Sequence, residues 1–122
     1  MNDKQQQLSQ QLEVMHLAYA RELPNKIAAI KADWQQLRLQ PTEQTLYELN
    51  RKVHGLIGSG ATFGFAKVSK VAQALEDAFN TYSHDPHTEP AISTSTIDLL
   101  FAKLESAANV KYYIEQEIGS LE

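Results

Sequence analysis

Apolar residues recur at intervals of three and four along nearly the whole chain, which restricts the fold to helices packed on helices. The first stripe runs through Leu8, Leu12, Met15, Tyr19, Leu23, Ile27, Ile30, Trp34 and Leu37. Pro24 lies in its middle. Proline removes a helix hydrogen bond and prefers a first turn, so the stripe reads as two helices meeting there or as one kinked helix. Gln40-Pro41-Thr42 marks a turn and a new helix start. A second stripe, Leu46, Leu49, Val53, Leu56 and Gly60, ends near Phe63-Gly64, and a third carries Val68, Val71, Leu75, Ala78, Phe79 and Tyr82. The stretch from His84 to Thr94, with its prolines and hydroxyl residues, reads as a loop. Ser95 with Asp98 three residues later resembles a helix cap, and the last helix points Ile97, Phe101, Leu104, Ala108, Ile114 and Ile118 inward. No segment has the period of a strand, and no repeat or second domain is visible. The expected fold is all-α, an antiparallel four-helix bundle with an additional N-terminal helix, as a single domain over residues 1–122.

Composition narrows the function classes. At 122 residues and 43% hydrophobic, the chain can bury one core of ordinary size. A net charge of −4 without a Lys/Arg stripe gives no footprint for nucleic acid. With no cysteine there is no disulfide framework, thiolate chemistry or cysteine-based zinc site. No apolar run approaches the roughly 18 residues of a membrane span, and the start Met1-Asn2-Asp3-Lys4 does not resemble a signal peptide. A cytoplasmic domain without membrane contact is therefore expected.

One window breaks the helical rules. Four of the five glycines, Gly55, Gly58, Gly60 and Gly64, follow His54 within ten residues. Each glycine in a helix interior costs about 1 kcal/mol relative to alanine, and a cluster of such breaches usually marks a functional site. Leu49, Val53 and Leu56 lie on the core stripe, and Leu56 is about 200° around the helix from His54 at roughly 100° per residue. His54 therefore points outward. Its same-face neighbours are Asn50, Arg51, Ile57 and Gly58, with Ala61 beyond. Two minimal side chains, Gly58 and Ala61, leave the imidazole in a cleared patch suited to entering a partner's active site. Gly60, on the core stripe, suits close helix packing, and Gly64 suits a helix end. Trp34, Phe63 and Phe65 read as core and junction residues, and His16 as a helix-surface residue. His84, Asp85, His87 and Glu89 sit too closely in one loop to make more than a solvated polar segment.

The run from His54 through Gly58 to Ala61-Thr62-Phe63-Gly64-Phe65 resembles the signature of histidine-containing phosphotransfer domains, and its ending is most similar to that of chemotaxis-type kinases. The resemblance implies a helical bundle carrying a phosphoryl group on an exposed histidine and exchanging it with a receiver-domain aspartate. It makes His54 the phosphoryl acceptor and Gly58 the residue that gives the partner access. The family's Gln or Glu that orients the histidine corresponds to Glu76, 22 residues on, with Gln73 one turn earlier on the same face. A carboxylate holding the Nδ1 proton would fix the tautomer and leave Nε2 free to attack. The family commonly has lysine three residues after the histidine; this chain has Ile57. Arg51 is then the nearest source of positive charge, and Ile57 adds apolar area to a docking surface of Arg51, Ile57, Ala61 and Gln73. The implied partners are a response-regulator receiver domain, a sensor histidine kinase, or both. No cofactor is implied for the chain itself, since Mg²⁺ would belong to the receiver. Such a domain is a covalent carrier, not an independent enzyme. The missing lysine also raises an alternative, a non-transferring module that binds or inhibits a receiver or kinase through the same face.

Overall fold

The structure, a computed structural model, describes residues 2–82 and 92–109. Its helices are α1 (Asp3–Leu39), α2 (Glu43–Thr62), α3 (Ala66–Thr81) and α4 (Thr94–Ala107), and no strand occurs among the described residues. Local sequence sets the starts. Asn2 Oδ1 accepts from the Gln5 amide at 2.8 Å, and the Gln5 side chain returns to the Asn2 amide. Thr42 and Thr45 make the equivalent box at α2. The cap of α4 is Ser93, whose hydroxyl accepts from the Thr96 amide at 3.2 Å. The expected cap, Ser95, already lies inside the first turn, whereas Ser93 has the extended backbone that a cap requires.

α1 runs through Pro24 without ending. The segments on either side of the proline are thus one helix, and the expected additional N-terminal helix is the first part of α1. Interior proline costs about 3 kcal/mol. Next to it Leu23, Ile27 and Ile30 are buried, and each such side chain stabilises the fold by about 1.5–3 kcal/mol, which offsets the break.

The helices form a ring. α2 packs on α3 and α3 on α4, while α1 closes the circle against α2 and α4. Neighbours run antiparallel: Tyr19 meets Ser59 and Asp33 meets Lys52, so α2 descends as α1 rises. From Tyr19 onward the core follows the predicted stripes, except that Leu46, Val71 and Tyr82 are only partly buried and Ala72 takes the core position beside Val71. Trp34, Phe79 and Phe101 form a chain of ring contacts (5.3 and 6.1 Å), bordered by Leu23, Leu37, Leu49, Leu75, Ile97 and Leu104.

The first three members of the α1 stripe depart from expectation. Leu8, Leu12 and Met15 are exposed, at 57%, 58% and 48%. At 37 residues, α1 is far longer than the other helices, and the α2–α3 junction at Phe63–Phe65 packs against His16 and Tyr19. The turns of α1 before His16 extend past that junction. Ile114, Ile118 and the His84–Glu89 donors lie outside the described residues. No described helix is long and apolar enough to cross a membrane.

Candidate functional site

The α2–α3 junction decides where His54 stands. α2 ends in a Schellman turn: the Phe65 amide donates to the Gly60 carbonyl at 2.7 Å, across Gly64 at φ +88°. That φ suits glycine. The turn drops Phe65 into the core, fully buried, with the His16 ring stacked on it at 4.4 Å. His16 is half-buried, with Nδ1 2.8 Å from the Phe63 carbonyl oxygen. It is therefore part of the junction and not the plain surface residue that its position in the stripe suggested. The contact joins residues 47 positions apart, and nothing local encodes it. Phe63 is partly buried and stacks on Tyr19, and the Tyr19 hydroxyl meets Ser59 Oγ at 2.6 Å. Burial raises the Tyr19 phenol above its ordinary pKa, although the Ser59 bond works the other way.

Gly60 then brings α3 close. It is buried, and a Cβ there would stand 3.3 Å from the Ser69 nitrogen and 3.4 Å from the Phe65 carbonyl oxygen. Beside it the Ser69 hydroxyl donates to the Ile57 carbonyl at 2.7 Å. With α2 and α3 fixed there, the antiparallel register carries Glu76 opposite His54.

The two meet on the open face. The His54 side chain is 79% exposed and that of Glu76 25%, with Nδ1 and Oε2 separated by 3.1 Å. An ionised carboxylate only accepts, so Nδ1 carries the proton and donates it. In the neutral ring this tautomer leaves Nε2, across the ring, with its lone pair. Gly58 is exposed, and an added Cβ there would meet nothing within 4 Å. Gly55 is equally unobstructed. Ala61 and Gln73 are exposed, and Ile57 is partly buried against the core, so part of its side chain remains on the surface.

Toward the start of α2 lies a shallow depression lined by Tyr47, Asn50, Arg51, His54, Glu76 and Asn80. Arg51 Nη2 donates to Glu48 Oε2 at 2.9 Å. This pair holds the Glu48 carboxyl below its ordinary pKa and the Arg51 guanidinium above its own. Sequence spacing places Arg51 on this face but does not single out Tyr47, Glu48 or Asn80. Glu48 stands three residues before Arg51, an ordinary helix ion-pair spacing, and Asn80 stands one turn after Glu76. No cluster of three potential metal ligands occurs among the described residues.

An exposed histidine, its second nitrogen tied to an acid from the next helix and a glycine clearing one side, suits attack on a group presented by a partner. No curated protein and no solved structure matches the chain. A family model, the Hpt domain, matches residues 3–109, and the chain belongs to that family of histidine-containing phosphotransfer domains.

Proposed function

We propose that this domain carries a phosphoryl group on Nε2 of His54, exchanging it with a response-regulator receiver domain, a sensor histidine kinase, or both. Family membership sets the coarse role, phosphotransfer in two-component signalling by a carrier module. The observation that carries the finer reading is the 3.1 Å pair between His54 Nδ1 and Glu76 on an exposed face.

The step follows from that geometry. The Nε2 lone pair attacks the phosphorus of a receiver's aspartyl phosphate. An N–P bond forms, the acyl O–P bond breaks, and its electron pair leaves on the aspartate. The ring becomes cationic and keeps its Nδ1 proton, which Glu76 holds while stabilising the new charge. Transfer onward is the same step reversed. Gly58 lets the receiver approach, and Ile57, Ala61 and Gln73 form the surface around it. The chain needs no cofactor of its own in this scheme, because the receiver supplies Mg²⁺ and a lysine to the phosphoryl oxygens.

A second reading rests on Ile57, which replaces a charge with an apolar side chain: a module that docks on a receiver or kinase without accepting phosphate. Incubation with a ³²P-labelled phospho-receiver separates the two. Label on the native chain and none on His54→Gln supports transfer; a complex that forms without label overturns it in favour of the docking module.

A further inference from the structure

We infer that Arg51 grips the phosphoryl group once it is on His54, and that Glu48 holds Arg51 in reserve until then. The inference rests on the carrier role proposed above and adds the residue that supplies positive charge. Glu48, Arg51 and His54 follow one another at three-residue intervals on one helix. Neighbours at that spacing share a face, with Cβ atoms about 5–6 Å apart, so the long Arg51 side chain stands midway between two positions it can reach. In the unphosphorylated chain it takes Glu48, at 2.9 Å. It also lines the same depression as His54.

Charge decides the exchange. A phosphoryl group brings nearly two negative charges and three strong acceptor oxygens, against one charge on Glu48. The guanidinium fork fits such a group with two parallel bonds. Exposed carboxylate pairs are weak, so Glu48 gives Arg51 up readily. Lys52, the next residue, is turned toward α1 and pairs with Asp33 at 2.8 Å. Ile57, on the far side of His54, offers no charge. Asn50 and Asn80 line the depression beside Arg51 and can add amide donors. Glu48 acts only through Arg51: it competes with the phosphoryl group for the guanidinium and holds it until that group arrives.

The test needs no partner protein. Phosphoramidate phosphorylates the full chain directly: Nε2 forms the N–P bond, the donor's P–N bond breaks, and ammonia leaves. The lifetime of the phosphohistidine is followed by ³¹P NMR in the native chain, Arg51→Ala, Arg51→Lys and Glu48→Gln, at low and high salt. Arg51→Ala is expected to shorten the lifetime about three- to fivefold at low salt, and the gap narrows at high salt because exposed charges are screened. Arg51→Lys recovers part of it, and Glu48→Gln lengthens it by releasing Arg51. Equal lifetimes in the native chain and Arg51→Ala overturn the inference while leaving the carrier role standing. A Glu48→Gln lifetime no longer than native overturns the part assigned to Glu48. Failure of His54 to take the phosphoryl group at all overturns the carrier role itself, and this inference with it.

Discussion

Alanine at Gly58 and alanine at Gly60 make the same chemical change two residues apart on one helix, yet the structure requires opposite outcomes. At Gly58 the new methyl meets nothing within 4 Å, so only helix propensity acts, and the substitution stabilises by about 0.5–1 kcal/mol. At Gly60 the methyl stands 3.3 Å from the Ser69 nitrogen and 3.4 Å from the Phe65 carbonyl oxygen. Both are backbone atoms, and the Ser69 amide donates to that same carbonyl at 3.0 Å, so neither yields without disturbing the first turn of α3. Overpacking of this kind costs about 1–3 kcal/mol, which places Gly60→Ala that far below Gly58→Ala after the shared propensity gain. A chain of 122 residues shifts its Tm by about 4 °C per kcal/mol, so thermal unfolding followed by circular dichroism resolves the pair. Gly58→Trp extends the series, keeping a near-native Tm while losing transfer from a phospho-receiver, because its ring covers the approach to His54. If Gly60→Ala melts as high as Gly58→Ala, the assignment of one glycine to packing and the other to access is refuted.

Three further outcomes follow from the same geometry. Glu76→Ala removes the acceptor on Nδ1 and is expected to slow transfer by about tenfold or more, while Glu76→Gln, whose amide oxygen still accepts, retains more activity; stopped-flow transfer kinetics with equal rates for both would count against the orienting role. Tyr19→Phe loses the 2.6 Å contact with Ser59, expected to cost about 0.5–1.5 kcal/mol in urea unfolding; in the native chain, ultraviolet titration should find this phenol ionising above the ordinary tyrosine value because it is buried. The Glu48 carboxyl titrates below its ordinary pKa because Arg51 donates to it. The pair's contribution is therefore complete above the ordinary value and is lost as pH falls through the lowered one. Carboxyl NMR should show the Glu48 midpoint rising in Arg51→Ala.

Sequence reading recovered the fold where periodicity governs. The stripes through Leu49–Leu56, Val68–Phe79 and Ile97–Leu104 all face the core, because amphipathic helices bury what their spacing places on one side. It failed where length mattered more than spacing: Leu8, Leu12 and Met15 continue the α1 stripe but have no described helix beside them. Pro24 is the converse case, since the local break is outweighed by the burial around it. Around the site, the outward direction of His54 and the openness at Gly58 followed from angular arithmetic on one helix. The facing of Glu76 depended on how α2 and α3 register, which Gly60, Ser69 and the Phe65 turn fix. Only the family resemblance pointed to it in advance. His16 against Phe63 and Phe65 was illegible, being a contact between distant segments that neither encodes locally.

The account turns on which nitrogen of His54 accepts phosphorus. Long-range ¹H–¹⁵N correlation spectra of the ¹⁵N-labelled chain, recorded before and after phosphorylation by a phospho-receiver, read this directly. With Nδ1 held by Glu76 at 3.1 Å, the phosphoryl group is expected on Nε2 of His54, with the Nδ1 proton retained. Phosphorus on Nδ1, or on any residue other than His54, would contradict the account.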